Sequence, residues 1–483
     1  MHIRKELAKG TFWTAVGSYS HYIFAFVISA ILSRMLTPAD FGVVSMVMVY
    51  TGFVDMLAEF GISATVVQKR TLDRLGLSTV FWFTALLGVV LTGVSVLLAP
   101  AIEAFFDFDG LRVVVQVMSI KLLFVSLSSV PQGLLQKELA FKKLAILEIL
   151  TTVLSGTTGI ILAFMGWGYW ALVAQGVSLR FFRAIGYFWM TKWLPMFKVQ
   201  VDAIREIIGF SGNLLGFRMI NYWARNVDNL LIGRTLGSVQ LGFYNQAYTL
   251  MMYPIRMLSS VINPSLQPVF ATAQDEPEKI APTYLLLLEM IALITFPLGI
   301  FLFLFAGPVI RVLWGNQWDA SVPVFEVLAF LTMIQPLMAT SGSVFIARNK
   351  AQLLFRLGSV TSVIIIAGIA AGSVFGIVGV AAGYAITYWG LATPLTLYYL
   401  SKTLEIKHKQ MLKLFVKPVI ITLIMVPALW FFRSLNFPWP NVGIVAGAGA
   451  LSLVIWASVG FMLYRRQFQT ILQVLRLRYH AKV

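Results

Sequence analysis

The sequence predicts an all-α integral membrane protein of about fourteen transmembrane helices: two lobes of about six helices related by a parallel repeat, plus two C-terminal helices. Three observations carry this: the composition, the spacing of the apolar runs, and the placement of Lys and Arg. Of 483 residues, 59% are hydrophobic and 12% charged, with a mean hydropathy of +0.83. A soluble domain carries about 25% charged residues, so lipid must be the solvent for much of this surface. The absence of cysteine excludes a disulfide scaffold and thiolate metal sites. The four histidines (His2, His21, His408 and His480) are scattered, which argues against a His-built metal or catalytic centre. No Walker A motif appears. Neither catalytic residues nor a metal are expected.

Apolar runs of about twenty residues, the length that spans a bilayer, fall near 11–33, 41–63, 77–100, 111–134, 144–165, 167–190 and 207–233 in the first half. They continue near 239–263, 283–306, 322–346, 354–375, 377–400, 414–432 and 441–464. Only Phe375-Gly376 separates the runs on either side of it. The basic stretch before the first run is followed by a full-length apolar segment without a small-residue cleavage site, so this segment is expected to stay in the membrane. Segments 191–206 and 401–413 are too short to bury a core of their own. Pro254, Pro264, Pro268, Pro297 and Pro336 fall inside predicted helices and are expected to interrupt them.

Alternate loops differ in charge. One set holds Arg4, Lys5, Lys9, Lys69, Arg70, Arg74, Lys137, Lys142, Lys143, Lys192, Lys198, Arg205, Arg348, Lys350, Arg356, Lys402, Lys407, Lys409, Lys413, Lys417, Arg465 and Arg466. One loop of this set, 271–282, is anomalous, with Asp275, Glu276 and Glu278 against Lys279, which the orientation rule tolerates. The opposite set holds Arg34, Arg112, Arg234, Arg311 and Arg433 with the acidic Glu103, Asp107 and Asp109. The positive-inside rule places both termini in the cytoplasm. It also accounts for the net charge of +17 without a nucleic-acid partner.

The repeat shows at two places. Arg34-Met-Leu36 leads to Gly42 after the first run, and Arg234-Thr-Leu236 leads to Gly242 after the seventh, with identical spacing. A weaker echo opens the sixth and twelfth runs, Gly166-Trp-Gly168-Tyr and Gly376-Ile-Val-Gly379. An even number of helices between the members of each pair keeps their orientation, as in parallel repeats. The expected domains are 1–200, 201–405 and 406–483, the last holding two helices and a basic tail.

Ionisable groups within the apolar runs are functional candidates by default, because lipid does not tolerate them. Asp55 and Glu59 stand four apart on one helix face, where two carboxylates could share a proton or cation, or Glu59 could pair with Lys69 or Arg70. Arg218 and Arg225 stand seven apart with Asn221 between them, and Arg256 follows on the next helix. Asp228 could neutralise Arg225, and Glu289 could neutralise Arg256. Otherwise these guanidinium groups, with Lys121, Arg180 and Arg183, would line a cavity that binds phosphate oxygens. Arg180 and Arg183 could instead lie near the interface. Glu148 and Glu326 are further acids within runs. Tyr22 and Tyr222, with Asn221, could contact sugar rings, although belt and packing roles are the commoner use of such residues.

Motifs in order along the chain resemble a known family. They are Gly10-Thr-Phe-Trp13, Leu32-Ser-Arg34 through Gly42, Glu59-Phe-Gly61-Ile, Val67-Gln-Lys69-Arg70 and Gln136 through Lys143. They continue with Asn226-Val-Asp228-Asn229 through Arg234, Leu241-Gly242-Phe-Tyr244 through Tyr248, Gly315-Asn-Gln-Trp318, and Ala347-Arg348-Asn-Lys350. Together they resemble Wzx-type polysaccharide flippases of the multidrug/oligosaccharidyl-lipid/polysaccharide exporter superfamily, closest to its colanic-acid-exporter-like branch. The resemblance covers residue 1 to about 400. It implies a MATE-like transporter of the bacterial inner membrane that moves undecaprenyl-diphosphate-linked oligosaccharide to the periplasmic leaflet by alternating access. No cofactor is implied beyond a coupling H+ or Na+, for which Asp55, Glu59 and Asp228 are the candidates. Membrane lipid, the lipid-linked oligosaccharide, a polysaccharide polymerase and a chain-length regulator are the implied partners. The alternatives are a cation-coupled multidrug exporter of the same superfamily and an integral-membrane polymerase or ligase. The latter would need a large extramembrane loop that this sequence lacks.

Overall fold

The computed structural model describes residues 2–59, 62–68, 73–198, 219, 222–223, 225–271, 276–435 and 437–480. These residues are overwhelmingly helical. The helices are α1 (His2–Met35), α2 (Pro38–Glu59), α3 (Ile62–Gln68), α4 (Arg74–Phe106), α5 (Leu111–Lys137), α6 (Phe141–Phe164) and α7 (Tyr169–Thr191). After them come α8 over 225–235, α9 (Gly237–Ala271), α10 (Pro277–Leu304), α11 (Ala306–Leu313), α12 (Val322–Met338) and α13 (Ser341–Ala347). The last are α14 (Ala351–Ser373), α15 (Gly376–Thr387), α16 (Thr393–Thr403), α17 (His408–Lys413), α18 (Val416–Ser434) and α19 (Asn441–His480). Among the described residues, 11 stretches are long and apolar enough to cross a membrane. Two other predicted runs are also helical, as α7 and α9, but carry polar residues such as Gln175, Arg180 and Arg183, or Asn245, Gln246 and Arg256. Most of the run 207–233 lies outside the described residues. Phe375-Gly376 does separate two helices: Gly376 takes φ +73° and reverses the chain between α14 and α15.

The prolines correct one expectation. α9 continues through Pro254, Pro264 and Pro268, α10 through Pro297, and α12 through Pro336. A proline removes one N–H and crowds one carbonyl, and membrane helices accommodate it by local adjustment.

The chain packs as two compact units. The first comprises Met1–Gln246, Leu313–Trp318 and Gly358–Tyr384; the second comprises Ala247–Val312, Asp319–Leu357 and Ala385–Val483. In the first, α1 packs on α6, α6 on α7, α7 on α5 and α5 on α4, while α2 packs against α5, α7 and α4. A core of Ile62, Val66, Leu77, Val80, Phe81 and Val130 joins α3, α4 and α5. A second core of Val54, Ala58, Leu122 and Val125 joins α2 to α5. Local sequence explains the helix ends. Asp73 Oδ1 caps α4 by accepting the Gly76 N–H at 2.7 Å. At the start of α2, Thr37 N–H and Oγ1 donate to Asp40 Oδ2 at 2.8 and 2.7 Å, and Asp40 N–H donates back to Thr37 Oγ1.

The repeated glycines meet. A Cβ on Gly42 would lie 1.8 Å from the Ser238 carbonyl oxygen, and a Cβ on Gly242 would lie 1.8 Å from the Pro38 carbonyl oxygen. The first turns of α2 and α9 therefore touch backbone to backbone through matched positions of the Arg34/Arg234 sequence echo. Asn245 Nδ2 donates to Ser45 Oγ at 2.7 Å, and Gln246 Nε2 donates to Ser33 Oγ. Around this junction Trp318 Nε1 and Gln317 Nε2 both donate to the Ser33 carbonyl, at 2.8 and 2.6 Å, and Arg34 Nε donates to the Leu313 carbonyl at 3.1 Å.

In the second unit α10 is the centre, packed on α12, α18 and α19. Buried Tyr284 and Thr340 share a hydroxyl hydrogen bond of 2.9 Å, and Thr295 Oγ1 donates to the Met333 carbonyl at 2.9 Å. Glu289 pairs with Lys417 at 3.0 Å, which corrects the expected Arg256 partner: Lys417 opens α18, whereas Arg256 is exposed on α9. Lys417 Nζ also lies 4.2 Å from the centre of the Tyr464 ring, and Trp456 Nε1 donates to the Leu293 carbonyl at 2.9 Å. The final two helices are thus tied to α10 by an ion pair and a backbone acceptor, and to each other by the cation–π contact.

Candidate functional site

α2 supplies an acid between two basic helices. Lys121, mid-way along α5 in a run of Ser, Ile, Leu and Phe, has a side chain only 6% exposed. An ammonium there requires a partner, and Asp55 of α2 provides one: Lys121 Nζ lies 3.2 Å from Asp55 Oδ2 and donates to Thr51 Oγ1 at 3.0 Å. Thr51 and Asp55 are one turn apart, so a single face of α2 serves the lysine. From α7, Arg180 Nη2 approaches the same Oδ2 at 3.7 Å. The other oxygen, Asp55 Oδ1, is buried and has no hydrogen-bond partner among the described residues. Two cations therefore share one carboxylate, and the three side chains sum to a single positive charge. Asp55 is consequently not held in a pair with Glu59, which is exposed at the last residue of α2.

The next turn of α7 carries Arg183, whose Nη2 donates to Glu148 Oε1 of α6 at 2.8 Å. His21 of α1 brings Nδ1 to 3.7 Å from the same oxygen and 2.8 Å from Thr152 Oγ1. Arg180 and Arg183 are thus both engaged by acids on neighbouring helices. The sequence alone does not mark His21 or Thr51 as partners of these charges, and it shows Glu148 only as an acid in an apolar run. No local spacing signals these contacts, because each partner sits on a helix remote in the chain.

On α8 the pairing differs from the expectation. Asp228 is buried. Its Oδ2 accepts the Tyr244 hydroxyl at 2.9 Å and its Oδ1 accepts the Asn229 N–H at 2.8 Å. Arg225, three residues earlier, is exposed. The expected Arg225–Asp228 neutralisation is replaced by a neutral donor from α9, which reaches the carboxylate because α8 and α9 fold back on each other. Tyr222 is committed to packing: its hydroxyl donates to the Val49 carbonyl at 2.8 Å, directly over Gly52, and its ring and that of Trp223 flank Phe53 at 5.9 and 5.1 Å. Tyr22 packs against His21 at 5.5 Å. Arg256 belongs to the second unit. Arg218 and Asn221 lie outside the described residues.

A separate cavity of about 460 Å³ lies against α5, α6 and α7, lined by Val117, Ile120, Phe124, Trp170 and Phe181 among others. Its walls suit hydrocarbon, and none of the ionised groups lines it.

With this geometry in place, comparison with known proteins decides the family. The family described as "Polysaccharide biosynthesis protein" matches residues 31–323, more than half of the chain. The chain belongs to this family. It is 30% identical over 355 residues to the teichuronic acid biosynthesis protein TuaB of Bacillus subtilis, covering 73% of this chain and 74% of that protein. It is 25% identical over 380 residues to the lipopolysaccharide biosynthesis protein WzxC of Escherichia coli, covering 77% and 76%. In structure it is similar to the lipid II flippase MurJ in an inward closed conformation, with a TM-score of 0.76 over 95% of this chain and 100% of that one at 12% identity. A MATE-family multidrug resistance transporter of the MOP superfamily gives a TM-score of 0.63 at 16% identity, over 80% and 95%. These likenesses establish the fold of an all-α, multi-pass membrane transporter.

Proposed function

We propose that this polysaccharide biosynthesis protein flips an undecaprenyl-diphosphate-linked oligosaccharide from the cytoplasmic to the periplasmic leaflet of the bacterial inner membrane, with both termini cytoplasmic. The reading is carried by the Asp55–Lys121–Arg180 cluster. In a membrane interior, an excess of cations over carboxylates favours an anionic group, and a diphosphate is the anionic part of such a cargo. Membership of the family supports the sugar and the lipid. No bond is made or broken in this reading: the chain supplies a polar interior for the headgroup while the hydrocarbon chain stays in lipid. Such transport proceeds by alternating access, and a chain-length regulator and a polymerase would act on the delivered units. A H+ or Na+ gradient would drive the cycle. Asp228 is the stronger coupling candidate, since among the described residues no cation pairs with it, and Glu59 the weaker.

The experiment measures polymer export and lipid-linked repeat units in cells carrying Arg180→Ala, Lys121→Met, Arg225→Ala or Arg256→Ala at normal membrane levels. The first two are expected to lower export at least about tenfold, the scale of one lost charge-assisted contact, with repeat units retained in the cytoplasmic leaflet. Full export by both would remove the cationic-site reading. A multidrug exporter shares the fold, but the net positive Asp55–Lys121–Arg180 cluster disfavours organic cations. Survival of the null strain on cationic drugs, unaided by the wild-type gene, separates the two.

A further inference from the structure

We propose that Asp55 is an internal stand-in for the anionic head of the cargo: it occupies Lys121 and Arg180 when the carrier is empty and is displaced when a diphosphate binds. This rests on the anionic-cargo reading above and adds a mechanism to it.

Three features distinguish Asp55 from an ordinary structural partner. First, both cations converge on one oxygen, Lys121 Nζ at 3.2 Å and Arg180 Nη2 at 3.7 Å, while Asp55 Oδ1 is buried with no hydrogen-bond partner among the described residues. An ammonium offers three donors and a guanidinium five. Among the described residues, Thr51 takes one of these beyond Asp55, so the carboxylate underuses the donors facing it. A diphosphate brings several charged oxygens to the same place. Second, the neighbouring pair on the same helix shows what a settled contact looks like here. Arg183 Nη2 meets Glu148 Oε1 at 2.8 Å, within hydrogen-bonding range, whereas Arg180 stands off its acid by 3.7 Å. Third, exposure is graded along the cluster. The side chains are 28% exposed for Arg180, 15% for Asp55 and 6% for Lys121. An incoming anion can therefore engage Arg180 before it displaces the acid from Lys121.

The arrangement answers a problem every carrier of a buried anion faces. When the cargo leaves, its cations would be left in low dielectric without a counter-charge, which is strongly unfavourable. Asp55 fills that role, so the empty carrier can reset. Its return also helps to expel the cargo, because loading is an exchange of one anion for another. Asp55 thus lowers cargo affinity while sustaining turnover.

The test uses purified full-length protein titrated with farnesyl diphosphate and with inorganic pyrophosphate. Asp55→Asn removes the competing charge at constant shape. It is expected to bind both probes about tenfold more tightly than wild type, the effect of removing one charge-assisted competitor, while export in cells falls. Unchanged affinity in Asp55→Asn, with binding lost in Lys121→Met and Arg180→Ala, overturns the stand-in role and leaves the anion site intact. Wild-type affinity in Lys121→Met and Arg180→Ala overturns the site itself. A gain for farnesol, which has no phosphate, also overturns the proposal. Should Asp55→Asn not fold, wild-type protein gives the answer by carbodiimide labelling read by peptide mass spectrometry. The peptide holding Asp55 is expected to label faster when farnesyl diphosphate is present, because the freed carboxylate loses its protecting cations. No change on ligand addition counts against displacement.

Discussion

Buried charges in this chain find partners that the sequence does not announce. Lys121 was visible as a cation in an apolar run, but its acid lies on α2 and the second cation on α7. The helix-face rule linked Asp55 to Glu59, because it sees only one helix at a time. The same limit made Arg225 the expected partner of Asp228, whereas α8 and α9 fold so that the Tyr244 hydroxyl takes the carboxylate. This gives a clean prediction at the residue scale. Tyr244→Phe keeps the ring and removes one hydrogen bond to a buried acid. Leaving that carboxylate short of a donor should cost about 1–3 kcal/mol. Thermal unfolding of the detergent-solubilised protein should show a midpoint lowered by several degrees. An unchanged midpoint would mean that Asp228 does not depend on Tyr244.

Element by element, apolar run length located nearly all of the described helices, because about twenty residues must clear the hydrocarbon core whatever the fold. Periodicity could not say that α9 passes unbroken through three prolines, since neighbouring groups in a membrane can satisfy the freed carbonyls. The Arg34/Arg234 echo carried further than its three matched positions suggested. Gly42 and Gly242 let the first turns of α2 and α9 lie against each other's preceding carbonyls, and Ser45 and Asn245 hydrogen-bond one turn further on. Small residues are what permit such close approach between membrane helices. If alternating access requires α2 and α9 to part at this end, a covalent link there stops transport. The chain has no cysteine of its own, so Ser45→Cys/Asn245→Cys is a clean probe. Oxidation, or a short thiol-reactive cross-linker, is expected to join the two positions and abolish export, with reductant restoring it after oxidation. Unimpaired export by fully cross-linked protein would make the junction a static seam.

For the whole molecule, the distribution of Lys and Arg makes the sharpest statement, and it concerns orientation. The turn between α4 and α5 carries Asp107 and Asp109, with Glu103 at the end of α4 accepting the Gly110 N–H at 2.7 Å. The segment joining α16 to α17 carries Lys407, and Lys402 and Lys409 stand beside it. Translocation retains basic loops on the cytoplasmic side far more strongly than it sorts acidic ones, so these two segments should lie on opposite faces of the membrane. With a cytoplasmic N-terminus, the orientation proposed above, the Gly42/Gly242 junction is expected at the periplasmic end, because α1 runs to Met35 immediately before it. Asp109→Cys and Lys407→Cys, each as the sole thiol of the chain, can be exposed to a membrane-impermeant maleimide in intact spheroplasts. Asp109→Cys is expected to label at once and Lys407→Cys only after permeabilisation. The reverse pattern would invert the orientation that the distribution of Lys and Arg implies. Equal labelling of both positions in sealed spheroplasts would contradict their placement on opposite faces.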